Sequence, residues 1–184
     1  MGSCSGKSNK TKDAHGKADL KSALAAASSK IGKEKNIKEL RVKEEEKSVL
    51  ECIKSKDVES AMLHVTATLY ESTRISCYQR IIEHLNILIA NLRDIFEDGV
   101  NSSTLESANA VVYSANKLTS FKELITAKRE LKKYMNKNDY SEACKSVCVD
   151  ATLKDNFHKE IFSNEEKLEK LTEIDKSKPT NLAI

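Results

Sequence analysis

Apolar residues recur at helical spacing over most of the chain. From Asp57 to Asp98 there is neither proline nor glycine, and Gly99 follows, a residue that commonly lies just past a helix C-terminus. Within this stretch apolar steps alternate between three and four residues, which places them on one seam: Ile75, Tyr78, Ile82, Leu85, Ile89, Leu92 and Phe96. A helix of this length would span roughly 60 Å and must pack lengthwise against a partner helix, in its own chain or in another.

A second long helix is predicted before this one, starting at about Asp19. Gly32 weakens that helix relative to alanine and allows a kink. The residues Ser55 to Asp57 form a tight corner, with Ser55 or Asp57 as the cap of the next helix. The apolar stripe of the first helix opens with Leu20, Leu24, Ala27 and Ile31. The two helices are therefore predicted to form an antiparallel hairpin from about Asp19 to Asp98.

Shorter helices are predicted after Gly99. Their expected ranges are Thr104–Lys117, Thr119 or Ser120 to Asn136, Asp139–Val149, Asp150–Ile161 and Asn164–Ile174. Ser120 followed by Glu123 fits a capping box. The predicted fold class is all-α: a long antiparallel helical hairpin with shorter helices packed on it.

The amino-acid composition agrees with such a fold, and the uneven distribution of charge indicates a class of partner. The chain is 32% charged and 5% aromatic, with one proline and five glycines, which is typical of a long-helix bundle. Residues 1–56 hold fourteen Lys/Arg against eight Asp/Glu, while the rest holds seventeen against twenty. A basic front half indicates an anionic surface as its partner.

The basic residues of the front half are candidate membrane or partner contacts. They are Lys7, Lys10, Lys12, Lys17, Lys21, Lys30, Lys33, Lys35, Lys38 and Arg41. An ordinary solvated face explains those of the first helix equally well, because glutamates are interleaved with them. Nucleic acid is not expected as a partner, since no aromatic residue suited to base stacking precedes Tyr70.

Enzyme chemistry is not expected. Cys144 and Cys148 could offer two ligands on one helical face, with His158 further along, but zinc normally takes four. No nucleophile–base order, phosphate-binding glycine loop or paired metal carboxylates can be assembled from the sequence. We therefore predict no catalytic residues, no metal and no cofactor.

Three segments together carry a family resemblance. They are "LECIKSKDVESAMLHVTATLYE", "VVYSANKLTSFKELITAKRELKKYMNKNDYSEAC" and "NEEKLEKLTEIDKSKPTN". In spacing and character the chain from about Leu20 to Asn181 resembles the Increased-Sodium-Tolerance (regulator of Vps4 activity) branch of the ESCRT-III family. The resemblance implies an ESCRT-III-like core and a protein without an active site of its own. It also implies a cytoplasmic protein, peripheral on endosomal or other membranes, that polymerises with itself or with other ESCRT-III subunits and serves multivesicular-body sorting, membrane remodelling and scission.

The N-terminus adds a membrane hypothesis. Residues 1–18 are predicted to be a basic disordered arm, and residues 19–184 the helical domain. The start "MGSCSGK" resembles that of a myristoylated ESCRT-III subunit, which makes Gly2 a candidate for acylation and Cys4 a candidate second site. A single myristoyl chain binds a membrane only marginally, so the lysines of the arm would have to add to it.

The last predicted helix allows two interpretations. Leu168, Leu171 and Ile174 lie beside acidic residues and resemble the motif by which ESCRT-III tails bind the family's AAA ATPase. The favoured interpretation is that they pack on the tip of the hairpin. For the whole chain, the alternative function is a cytosolic coiled-coil adaptor or scaffold without membrane activity, which explains the heptad equally well.

Overall fold

A computed structural model describes residues 7–145, 149–159 and 161–176, with side chains from residue 16 onward. This part of the chain consists of helices and their connections, and the predicted all-α fold is confirmed. The helices are α1 (Lys7–Ser55), α2 (Val58–Ala90), α3 (Leu92–Asp98), α4 (Leu105–Lys117), α5 (Lys122–Leu131), a 3-10 turn (Lys132–Tyr134), α6 (Lys137–Cys144), α7 (Ala151–His158) and α8 (Asn164–Lys176).

Helix α1 begins at Lys7, twelve residues before the predicted start at Asp19. The backbone of residues 7–18 is helical, where the sequence predicts a disordered arm. Extending a helix that already exists requires no new nucleation, and lysine and alanine are good helix formers. Gly2 and Cys4 lie outside the described residues, so their acylation stays a prediction.

The corner between α1 and α2 is closed by backbone hydrogen bonds. Lys56 adopts a φ of 61°, and the Asp57 amide donates to the Cys52 carbonyl at 3.0 Å. The Asp57 carboxylate accepts from the Ser60 amide at 3.1 Å. This hydrogen bonding with Ser60 lowers the pKa of Asp57. The prediction of Asp57 as the N-cap of α2 is confirmed.

The helix predicted to run unbroken to Asp98 is interrupted at Asn91, so that prediction is wrong at this position. The Asn91 side-chain amide donates to the Ile87 carbonyl at 2.8 Å, and the Asn91 backbone amide donates to the same carbonyl at 3.1 Å. Helix α3 then ends at Gly99, which has a φ of 79° and donates its amide to the Ile95 carbonyl.

The caps of two later helices differ from the sequence prediction. Phe121 occupies the N-cap position of α5 with no side-chain cap bond, so the capping box expected from Ser120 and Glu123 is wrong. A reciprocal box exists instead at α8. There the Ser163 hydroxyl accepts from the Glu166 amide at 3.2 Å, and the Ser163 amide donates to the Glu166 carboxylate at 2.9 Å.

The chain divides into two compact units. Unit 1 contains the chain up to Lys33 and from Tyr78 to Lys154. Its centre is α4, in which every residue from 107 to 115 is buried and which packs against α5 and α6. A hydrogen bond from the Ser28 hydroxyl to the Asn86 side chain joins α1 to α2 in this unit.

Unit 2 contains Glu34–Cys77 and the chain from Asp155 onward. Lys38 pairs with Glu71 at 2.7 Å, and Glu45 contacts His64 at 2.7 Å. Residue numbers rise along α1 as they fall along α2, so the two helices are antiparallel as predicted. The apolar cluster of this unit comprises Val49, Val65 and Ile174, with Leu50, Ile53, Leu69 and Leu171 packed against it.

Candidate partner-binding and membrane-binding surfaces

The predicted basic residues of α1 fall into two groups. In unit 1, Lys17 and Lys21 are exposed, and the Lys17 ammonium lies 5.4 Å from the Phe96 ring centroid. In unit 2, Lys38 and Arg41 both approach Glu71, which reduces the charge they present. Lys35 pairs with Glu39, Lys30 is half-buried and Lys33 is exposed. The side chains of Lys7, Lys10 and Lys12 lie outside the described part of the chain.

Only some residues of the predicted heptad seam are among the most buried residues of α2 and α3. Tyr78, Leu85 and Leu92 are buried, while Ile75, Ile82, Ile89 and Phe96 are half-buried. Three neighbouring residues outside the predicted seam, Ile81, Leu88 and Ile95, are fully buried. The buried residues therefore keep the seven-residue spacing. In one of the two rows, however, Ile81, Leu88 and Ile95 are buried in place of Ile82, Ile89 and Phe96, each of which is the next residue along the chain. Tyr78, Leu85 and Leu92 are thus covered by other residues of this chain.

Helix α8 places its three candidate residues in different surroundings. Ile174 is 2% exposed and belongs to the apolar cluster with Val49 and Val65, and Leu171 packs against that cluster. Leu168 is 55% exposed. An ion pair from Lys170 to Glu46 at 3.3 Å also ties α8 to α1 within unit 2.

A polar cluster that the sequence order did not reveal lies in unit 1. His84 is buried, its Nδ1 atom is 3.2 Å from the Ser107 hydroxyl, and its Nε2 atom is 3.7 Å from the Asp150 carboxylate. Arg80 donates a hydrogen bond to the same carboxylate. Asp150 also accepts from the Thr152 amide, at 3.0 Å, at the start of α7.

The electrostatics of this cluster follow from burial and from Arg80. Burial and the nearby Arg80 charge lower the pKa of His84, although Asp150 acts in the opposite direction. Burial raises the pKa of Asp150, but the hydrogen bond and charge of Arg80 outweigh it, so the net shift is downward. A neutral histidine thus sits beside a paired carboxylate. Because Ser107 is only 4% exposed, its hydroxyl is inaccessible to a substrate, and the cluster joins helices rather than forming a catalytic triad.

Surface grooves with room for a partner lie in both units. A groove in unit 2 between α2 and α8 is lined by Leu69, Glu166, Glu169, Lys170, Thr172, Glu173 and Lys176. Two further grooves involve α1, one in each unit, and the one between α1 and α2 is called the unit 2 groove. The groove in unit 1 lies between α1 and α5 and is lined by Asp19, Ser22, Ala23, Ala26, Lys122, Glu123, Thr126, Arg129 and Glu130. The groove in unit 2 lies between α1 and α2 and is lined by Arg41, Glu44, Glu45, Thr66, Ala67, Tyr70 and Glu71.

Two exposed apolar side chains lie one helical turn from residues that line the unit 2 groove. Leu40 is one helical turn before Glu44 and is 60% exposed, and Leu63 is one turn before Ala67 and is 69% exposed. Tyr70 lines the groove itself and is 39% exposed. Aliphatic side chains flanked by charged ones are typical of a surface that receives a helix of a partner.

The described residues contain no helix long and apolar enough to cross a membrane and no cluster of potential metal ligands. Cys77 is buried, and burial raises the pKa of its thiol to about 11, while Cys144 is exposed.

Comparison with known proteins assigns the family. The family model described as "Ist1: Regulator of Vps4 activity in the MVB pathway" matches residues 21–181. The chain belongs to the Ist1 family. This confirms the family predicted from the three sequence segments. Because the family regulates the activity of another protein, the prediction of a non-enzymatic protein is confirmed as well.

A solved structure supports the fold. The Ist1 N-terminal domain of S. cerevisiae, in complex with the Did2 MIM motif, matches with a TM-score of 0.78 at 15% identity. The match covers 87% of this chain and 90% of the yeast domain. No curated protein matches this chain in a direct sequence search. The match to the family model thus assigns the family, and the structural similarity shows the Ist1-like fold.

Proposed function

We propose that this Ist1-family chain is an ESCRT-III-like subunit that binds membranes and partner subunits in multivesicular-body sorting, membrane remodelling and scission. It acts by binding and polymerisation, in the cytoplasm and peripherally on endosomal or other membranes. Its partners are other ESCRT-III subunits, an anionic membrane surface and the AAA ATPase that the family regulates. The proposed polymer contains copies of this chain alone or together with another subunit.

The observation that carries the partner-binding part is the exposure of Leu40 and Leu63 beside the unit 2 groove. Single exposed aliphatic residues are common on any protein, but each of these two lies one helical turn from a residue that lines a groove containing Tyr70. The solved yeast relative was crystallised with a MIM motif of Did2, so a MIM-bearing ESCRT-III subunit is the partner to test first.

The experiment measures binding of such a subunit, from the same organism, to the purified chain by fluorescence anisotropy. Leu40→Ser combined with Leu63→Ser should weaken binding by about tenfold or more, because a few central apolar residues dominate most interfaces. Ile161→Ser is the matched control, since Ile161 is 86% exposed and does not line the groove. Equal binding by the wild-type chain, the double variant and the control would refute the assignment of this groove as the partner site.

Contact with the ATPase through α8 is less favoured by the geometry. Ile174 and Leu171 are already occupied by the apolar cluster of unit 2, so an ATPase domain would have to displace α8 from that cluster to reach them. Regulation of Vps4 by this chain therefore more simply uses other surfaces or acts through a shared partner subunit.

The adaptor hypothesis is the alternative, and one observation weighs against it. A coiled-coil adaptor would use the heptad between two chains, yet Tyr78, Leu85 and Leu92 are buried within one. A dimer through that seam would require these helices to separate first.

A further inference from the structure

One basic surface arises in the back half of the chain, where the overall composition is acidic. Residues 122–137 contain six Lys/Arg and two glutamates. One of those glutamates, Glu130, is only 5% exposed and is held by Lys133 and Arg129. We define the α5–α6 basic surface as the exposed members of this set: Lys122, Arg129, Lys132, Lys133 and Lys137.

Most of this charge is not neutralised by neighbouring carboxylates. Among the described residues, none forms an ion pair with Lys122, Lys132 or Lys137 under a 4.0 Å limit, whereas Lys133 and Arg129 contact Glu130. Asp19 and Glu123 line the adjoining groove, so the positive excess is greatest from Arg129 onward. The Lys132 ammonium lies 4.9 Å from the Tyr140 ring centroid, which connects the 3-10 turn to α6.

Gly16 and Lys17 of α1 lie close to the α5–α6 basic surface. A methyl group on Gly16 would be 3.7 Å from the Tyr134 hydroxyl, and Tyr134 directly follows Lys133. The Phe96 ring contacts Tyr134 at a centroid distance of 5.6 Å and also receives the ammonium of Lys17. Lys17 of α1 therefore lies beside the α5–α6 basic surface.

An apolar residue lies within this positive surface. Ile125 is 41% exposed and is three and four residues from Lys122 and Arg129, which places the three on one face of α5. Basic residues on both sides of an exposed aliphatic residue suit an anionic bilayer, where cations approach lipid phosphates and the aliphatic side chain enters the interface.

From these contacts we propose that the α5–α6 basic surface binds anionic lipid headgroups of a bilayer, together with the exposed Lys17 of α1. The inference rests on the proposed membrane function and assigns it a second element besides the N-terminal arm. The α5–α6 basic surface would add to the membrane affinity of the N-terminal arm, which is weak by itself. Each ammonium near an anionic leaflet strengthens binding by about fivefold at moderate salt.

The test measures flotation of the full chain with phosphatidylcholine vesicles, with and without phosphatidylserine. The test variant changes Lys122, Lys132 and Lys137 to glutamine, and it leaves Lys133 in place to hold Glu130. The control variant changes Lys54, Lys56 and Lys176 to glutamine, which removes the same charge from exposed positions of unit 2. Circular dichroism establishes that both variants keep the wild-type helix content.

We expect the test variant to bind phosphatidylserine vesicles at least about tenfold more weakly than wild type, since three ammonium groups are lost, and the control to stay within about twofold of wild type. Ile125→Ser should weaken binding severalfold without changing its salt dependence. Wild-type affinity in the test variant, or an equal loss in the control, would overturn the inference while leaving the proposed function intact. Loss of binding to a MIM-bearing subunit with unchanged vesicle binding would show that the surface serves a protein instead. A wild-type chain that ignores phosphatidylserine vesicles would overturn both this inference and the membrane part of the proposed function.

Discussion

The attachment of α8 to unit 2 depends on Ile174, and its removal has a calculable cost. Ile174→Ala deletes three buried carbon atoms, each worth about 0.8 kcal/mol of transfer free energy. The cavity that remains between Val49 and Val65 adds to this loss. A cost of about 3 kcal/mol follows, within the range measured for isoleucine-to-alanine changes in protein cores.

The assay is amide hydrogen exchange across α8, read by mass spectrometry. Because α8 can open locally, the loss should appear as faster exchange of its amides, while those of α4 in unit 1 stay protected. Leu168→Ala is the matched control on the same helix, and because Leu168 is 55% exposed its effect should stay within about 0.5 kcal/mol. Equal exchange in the two variants would refute the assignment of Ile174 as the anchor of α8.

Three further predictions concern backbone conformation, pH and thiol reactivity. Gly99→Ala should destabilise the chain by about 2 kcal/mol in urea unfolding, because Gly99 has a φ of 79° and a new Cβ would lie 3.0 Å from a backbone oxygen. Gly32→Ala, in an open helical position, should stabilise it by about 1 kcal/mol, and the same sign for both would contradict this. Because the pKa of His84 is lowered in the folded chain, the unfolded chain binds a proton at His84 at a higher pH than the folded chain does. Stability should therefore be full above about pH 6.5 and fall below it, and His84→Gln should flatten that decline in thermal melts. Iodoacetamide at mildly alkaline pH should label exposed Cys144 and spare Cys77, as peptide mass spectrometry would reveal.

The architecture was accessible from the sequence because long helices leave a strong periodic signal. The absence of proline and glycine before Gly99, and the corner at Asp57, located the hairpin. The break at Asn91 was missed, since it leaves the apolar period on both sides intact. The start of α1 was misplaced for a related reason: apolar periodicity is absent before Leu20, but helix can propagate without it.

The candidate surfaces were harder to predict, because they depend on which residues meet in space. The seam was predicted with one row shifted, since half-buried Ile82 and buried Ile81 are equally apolar and adjacent. The α5–α6 basic surface was concealed by the acidic balance of the back half, although the cluster "AKRELKK" is visible in the sequence. The His84 cluster joins residues 80 to 150, a separation over which sequence patterns give no signal.

Assembly on membranes tests the central claim most directly. The chain would be mixed with a MIM-bearing ESCRT-III subunit and phosphatidylserine vesicles, pelleted, and imaged by negative-stain electron microscopy. The account predicts filaments or tubulated vesicles with the wild-type chain, and their loss when Leu40 and Leu63 are changed to serine. A chain that remains a soluble dimer beside unaltered vesicles would contradict it and favour the coiled-coil adaptor.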